Sequence, residues 1–266
     1  MTTANKTTHI DRTAHEPRDN VLIPPPSPSI PKLTHTPKLA IQSSPLNPPA
    51  AYLWQNPSLL LQTPVRIRIG GSFTYPPQIT PPPPSTSSTT TSTSTPPPVP
   101  LDFKNLLLIA GGVGINPLIS ILSHIATLPP HHRPHQTTLF YTLKDPNNQI
   151  QSGDTSQALF LDRIIRLFSQ TDGLNGSIKL FLTGGGPHTD KTSTSEIPTQ
   201  GITLPFEKRR ISLSDVAKAI GEDKDNIAVY ICGVPSMTDQ LVAGLTSPSP
   251  QGLGIEKNRV LYEKWW

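Results

Sequence analysis

Gly111-Gly-Val-Gly114 follows an apolar run at 106–110 and leads into Ile-Asn-Pro117, where a helical pattern begins. Glycines adopt torsions closed to other residues and let an approaching group reach the main chain. A helix start behind them adds free amides and the positive end of a dipole. That combination suits a pyrophosphate, although a glycine turn after a buried strand also serves simple close packing. Ile231-Cys-Gly-Val-Pro-Ser-Met237 likewise follows an apolar run. Two glycine-bearing turns are therefore expected on one edge of one sheet, where open α/β folds bind ligands. Cys232, small and followed by Gly233, leaves room for a flat ring; the alternative is an inert buried cysteine. Met237 reads as packing, because methionine fills irregular gaps. The sequence closes on Glu263-Lys-Trp-Trp266, and two large rings there cover either a planar cofactor or an ordinary hydrophobic groove. Together these pieces point to a nicotinamide-dinucleotide site.

The elements that must position them alternate between short apolar runs and helical patterns from Leu101 onward, the signature of a parallel, doubly wound α/β sheet with helices on both faces. Strands are expected over 106–110, 137–143, 178–182, 227–231 and 259–262. One helix starts at Pro117, where a missing N–H costs nothing, and runs to about Thr127. A second spans 155–169, with Leu161, Ile164, Ile165 and Phe168 facing the sheet. Ser212 or Ser214 caps a third that ends near Ile220, and Pro235 opens a fourth. The polar run that follows Gly184-Gly-Gly186 holds little to bury and reads as an inserted surface loop at about 186–202. Upstream, Val65-Arg-Ile-Arg-Ile69 alternates as a half-buried antiparallel strand does, and Gly70-Gly71 ends it.

Composition sets the limits. Of 266 residues 33 are proline, so the packed part is smaller than the length implies. Residues 81–98 are Pro, Ser and Thr throughout, with no apolar side chain to offset the entropy of ordering. The division expected is a disordered Pro-rich region at 1–52, a short barrel-like segment at 53–80, a low-complexity linker at 81–100 and the α/β domain at 101–266. A formal charge of +4, with one basic cluster at Lys208-Arg-Arg210, argues against nucleic acid as a partner. The single cysteine excludes an internal disulfide framework and a multi-cysteine zinc site. His131, His132 and His135 share a Pro-rich loop without acidic partners, so no metal is expected. Gly111, Gly112, Gly114, Asn116 and Pro117 break the apolar stretch 106–125, which removes a membrane span. Acidic residues spoil the first twenty positions as a mitochondrial presequence, so the location expected is intracellular, mitochondrial or cytoplasmic.

In this order the pieces resemble the ferredoxin-NADP reductase superfamily over roughly residues 64–266. The resemblance implies NAD (or NADP) and FAD as cofactors. It implies pyrophosphate at Gly111, Gly112, Gly114 and Pro117, and nicotinamide beside Cys232, Gly233 and Pro235. Trp265 matches the aromatic that stacks over the flavin and yields to nicotinamide, with Glu263 as the nearby acid and Trp266 as an extension. The candidate site is thus Cys232, Glu263 and Trp265 for catalysis. Coenzyme binding falls to Gly111, Gly112, Val113, Gly114, Asn116, Pro117, Thr142, Cys232, Gly233, Pro235 and Trp266. Gly70-Gly-Ser-Phe73 resembles the last strand and turn of the family's flavin-binding barrel. The family's Arg-x-Tyr-Ser/Thr flavin motif does not occur between Met1 and Pro77, since Arg66 and Arg68 have no tyrosine at the required spacing. A truncated barrel remnant is therefore expected. Where the family places serine and arginine for a 2′-phosphate, this sequence has Thr183-Gly-Gly-Gly186, which leans towards NAD unless Arg209 and Arg210 swing in.

Two functions are compatible with these residues. One is an oxidoreductase moving hydride from NAD(P)H to a flavin, with an electron acceptor the sequence does not identify. The other is a non-catalytic nicotinamide-binding module, a sensor or scaffold, whose Pro-rich arms recruit protein partners.

Overall fold

The computed structural model describes residues 41, 43–60, 73–79, 98–184, 195–199 and 202–264. The chain divides into two compact units, Met1–Ser72 and Phe73–Trp266.

In the first unit, helix α1 (Pro48–Leu53) and the single-turn α2 (Pro57–Leu60) are described. A disordered Pro-rich region was expected over 1–52; among its described residues, Asn47 caps α1 by accepting from the Ala50 amide at 3.2 Å. Pro48 and Pro49 occupy first-turn positions where their missing N–H groups are harmless. The expected strand at 65–69 and its glycines at 70 and 71 lie outside the described residues.

The second unit opens with a two-residue antiparallel pair, β1 (Gln78–Ile79) with β2 (Val99–Pro100). A seven-stranded sheet follows, built from β3 (Asn105–Gly111), β4 (Gln136–Lys144), β5 (Gly176–Thr183), β6 (Ser195–Thr199), β7 (Ile202–Glu207), β8 (Ile227–Gly233) and β9 (Val260–Lys264). Its order is β6-β7-β5-β4-β3-β8-β9, parallel except for the β6–β7 hairpin. The chain steps outward from β3 to β4 and β5, then returns to place β8 and β9 on the other side of β3. That reversal puts the switch point of the sheet between the carboxyl ends of β3 and β8, the place where open α/β sheets form their ligand crevice.

Strand parity assigns the two faces. Leu106, Leu108, Ala110, Tyr230 and Cys232 pack with helices α3 (Ile115–Thr127) and α4 (Leu161–Ser169). Leu107, Ile109, Val229 and Ile231 pack with α5 (Leu213–Ile220) and α6 (Pro235–Thr246). The first face also receives the segment before β1. Phe73 meets Tyr230 edge-on at 5.2 Å, and the Tyr230 hydroxyl donates to the Thr74 carbonyl at 2.6 Å. Burial pushes the Tyr75 hydroxyl up to about 12 and the Tyr230 hydroxyl higher still, so both act as neutral packing groups.

Two expectations are corrected, and an alternative is settled. Within 155–169, residues 155–157 form a 3-10 turn and α4 begins only at Leu161, because Phe160 takes a left-handed torsion (φ 59°) that breaks the helix. Part of the supposed loop at 186–202 is strand: Ile197, Leu204 and Phe206 are buried, and their alternation builds β6 and β7. Consequently the sheet is not wholly parallel. Ser212, not Ser214, caps α5 in a capping box with Asp215.

Candidate functional site

β3 runs buried to Ala110 and then emerges. Gly111, Gly112 and Val113 are half-buried at the edge, whereas Gly114, Ile115 and Asn116 are buried. Gly112–Gly114 make a 3-10 turn that runs straight into α3. Gly112 has φ +52°, and an added methyl there would meet nothing within 4 Å. It is the open rim of the bend. A methyl on Gly114 would instead overlap the Cys232 carbonyl and lie 2.9 Å from the Gly233 nitrogen. Gly114 is required because α3 starts against the backbone of β8. Asn116 staples the turn by donating from Nδ2 to the Val113 carbonyl at 2.8 Å.

The second bend adjoins the first. Ala110 pairs with Cys232 in the parallel register of β3 and β8, and a methyl on Gly111 would lie 3.3 Å from the Gly233 Cα. Cys232 is fully buried, while Val234 is half exposed. Pro235 is the first residue of α6, whose amino end has no side-chain cap. The starts of α3 and α6 both lie at this edge without a side-chain cap; the Ile115 amide is taken by the Gly112 and Val113 carbonyls, so what the two starts share is the positive end of a helix dipole. Such a place attracts an anion.

On the outer flank, β9 brings Glu263 opposite Cys232, and Lys264 opposite Gly233. In a parallel pair, register partners share a face, so Glu263 stands beside Cys232 on the α3 face. Lys264 is tied to Asp239 of α6 at 2.6 Å. On the inner flank, Thr142 pairs with Gly111. The structure thus gathers Gly111, Gly112, Val113, Thr142, Cys232, Gly233, Pro235 and Glu263 around one edge. Trp265 and Trp266 lie outside the described residues.

Asp145 and Asp215 were not singled out from the sequence, and Arg209 was singled out only for a 2′-phosphate. Asp145, just after β4, is buried and accepts from the Ile150 and Gln151 amides at 3.2 Å each. It holds the loop beyond β4 in place. Arg209 grips both Asp215 oxygens at 2.6 Å, pairs with Glu207 and lies 5.5 Å from the Phe181 ring centre. Glu207 also pairs with Lys179. Burial would raise the Asp215 carboxyl, but hydrogen bonds from Arg209 and Ser212 and the Arg209 charge hold it well below the usual carboxylate range. Arg209 is a strut, whereas Arg210 is exposed. The Ser-x-x-Asp spacing at 212–215 was the available signal for Asp215.

A groove of about 520 Å³ lies away from the crevice, on the α5 face of β4 and β5, where Gln136, Thr138, Lys179 and Lys218 line it. Among the described residues there is no group of three His, Cys, Asp or Glu placed to hold a metal ion. Nor is any helix there long and apolar enough to cross a membrane.

The family model of the ferric reductase NAD binding domain matches residues 103–243. Oxidoreductase NAD-binding domain-containing protein 1 of Danio rerio is 29% identical over 221 residues, which is 83% of this chain and 66% of that protein. The Xenopus tropicalis protein of the same name is 31% identical over 232 residues, 83% of this chain and 57% of the relative. The chain therefore spans 57–66% of the length of these relatives. Among solved structures, the flavohem-like FAD/NAD binding domain of nitric oxide dioxygenase from Vibrio cholerae aligns at a TM-score of 0.38 and 17% identity, covering 63% of this chain and 56% of that one. Ferredoxin-NADP+ reductase from Plasmodium falciparum aligns at 0.37 and 18%, covering 61% and 53%.

Proposed function

The chain belongs to the ferric reductase NAD-binding domain family, and from that membership we propose that the crevice between β3 and β8 binds NAD(P)H and presents its nicotinamide for hydride transfer. The observation that carries this reading is the contact between the two bends: Gly114 seats against Cys232, and Gly111 against Gly233. A dinucleotide is two nucleotides joined at a pyrophosphate, so its site needs an anion cradle with a second, ring-sized recess beside it. In this reading Gly111–Val113 and the start of α3 cradle the phosphates. Cys232, Gly233 and Pro235 border the nicotinamide, and Glu263 orients it.

The acceptor proposed is a flavin, as in the superfamily that the sequence resembles. The superfamily's Arg-x-Tyr-Ser/Thr flavin motif does not occur between Met1 and Pro77, so no residue of this chain is assigned to holding the flavin. NADH is proposed over NADPH, because of the two arginines the sequence offers for a 2′-phosphate, Arg209 and Arg210, the first is already held by Asp215 and Glu207.

Calorimetric titration of the whole chain with NADH and NADPH tests the binding, and NADH oxidation followed in the presence of added FAD or FMN tests the transfer. Heat with NADH and flavin-dependent oxidation are expected. Heat without oxidation supports the non-catalytic module instead, and no heat with either coenzyme removes both readings.

A further inference from the structure

Met237 occupies the third position of α6, directly under the crevice. Its Cε would lie 2.5 Å from a methyl on Gly233 and 3.0 Å from one on Gly111, and its Sδ 3.3 Å from the latter. The two glycines sit at the carboxyl ends of neighbouring strands and share the α6 face. Their missing side chains leave a notch, and the unbranched thioether fills it. The β3–β8 register ends at Ala110 and Cys232, one residue before Gly111 and Gly233. Gly111 is still paired with Thr142 of β4 and Gly233 with Lys264 of β9, but not with each other, so across the gap between β3 and β8 the spacing of the two bends rests on packing. On the opposite face Gly114 rests on the Cys232 carbonyl, so the bends are wedged from both sides, by α3 and by α6.

We propose that Met237 is a positioning residue that sets the distance between the phosphate bend and the nicotinamide bend. This rests on the dinucleotide reading of the crevice. Met237 acts through Gly111 and Gly233 and need not touch the reacting atoms. Because it belongs to the first turn of α6, it also fixes how far the Cys232-Gly-Val-Pro bend stands from the phosphate cradle. Shortening the side chain lets one bend relax relative to the other while each keeps its own shape. A ligand that spans both bends then loses more than a ligand held by the first.

The test compares NADH with ADP-ribose, which carries the pyrophosphate without nicotinamide, by calorimetry on the whole chain. In the unaltered protein NADH is expected to bind more tightly than ADP-ribose. In Met237→Ala, ADP-ribose affinity is expected to stay within about twofold, while NADH weakens by about tenfold. Met237→Leu, which refills the notch, restores NADH binding. Met237→Val, with part of the volume retained, falls between and carries the comparison if the alanine variant does not fold. Equal weakening of both ligands marks general structural support and overturns the proposal, as does unchanged NADH affinity in Met237→Ala. An unaltered protein that binds ADP-ribose but holds NADH no more tightly overturns this proposal while leaving the phosphate cradle intact. One that binds neither ligand defeats the dinucleotide reading itself.

Discussion

At the scale of single residues, the glycines of the first bend do different jobs, and substitution separates them. Gly112 has open space around it but a left-handed torsion, so Gly112→Ala is expected to cost about 1–2 kcal/mol of stability. In the proposed cradle the added methyl stands where phosphate oxygens would approach, so NADH affinity is expected to fall by about tenfold or more. Gly114 has the opposite problem, because backbone atoms of Cys232 and Gly233 cannot yield as a flexible side chain can. Gly114→Ala is expected to cost about 3 kcal/mol. Urea unfolding beside NADH titration separates the pair, and equal stability losses would contradict the assignment. Arg209 gives a third residue-level expectation. With its guanidinium held by Asp215 and Glu207, Arg209→Ala lowers stability yet leaves the ratio of NADH to NADPH affinity within about twofold. A selective loss of NADPH would show that the strut also reads the 2′-phosphate.

At the scale of elements, Asp215 fastens the start of α5 to the end of β7. It accepts from the Ser212 amide at 2.8 Å, from the Ser212 hydroxyl at 2.6 Å and from Arg209. Its folded carboxyl titrates below the unfolded value of about 3.9. Between those two values the unfolded chain binds a proton that the folded one refuses, so stability rises with pH there. The clasp is fully effective above about pH 4 and is lost as pH falls through the depressed folded value. Asp215→Asn is expected to flatten that acid limb and to cost about 2 kcal/mol at neutral pH, read from urea midpoints between about pH 2 and pH 7. An unchanged acid limb would show that other carboxylates dominate it. These elements were unequally legible. Apolar runs announced β3, β4, β5, β8 and β9 to within two residues, because a strand covered on both faces needs little but apolar side chains. The β6–β7 hairpin was missed. Pro198 and Pro205 argue against strand in a sequence, yet β6 is an edge, and β7 pairs with β5 only at Phe206 and Glu207, so neither proline removes a central ladder bond. Both glycine bends were readable. Met237 was readable as a gap filler, but its place between the two bends and the strut of Arg209 were not, since each depends on long-range packing that spacing along the chain does not encode.

At the scale of the whole molecule, the proposed site lies where the chain order reverses across β3, and so binding there would be linked to the folding of the entire sheet. A ligand held between β3 and β8 contacts two strands and two helix starts that assemble only in the folded state. NADH present at about a hundred times its dissociation constant is therefore expected to stabilise the second unit by about 2.7 kcal/mol. For a domain of this size that corresponds to a rise of about 5–10 °C in its unfolding midpoint. The rise should depend on coenzyme concentration, disappear on dialysis and be largely abolished by Gly112→Ala, whose own fold survives. Differential scanning calorimetry with and without NADH measures all three. A midpoint indifferent to NADH, in a preparation whose second unit unfolds cooperatively, would mean that the crevice holds no dinucleotide and that the contact between its two bends serves packing of the sheet.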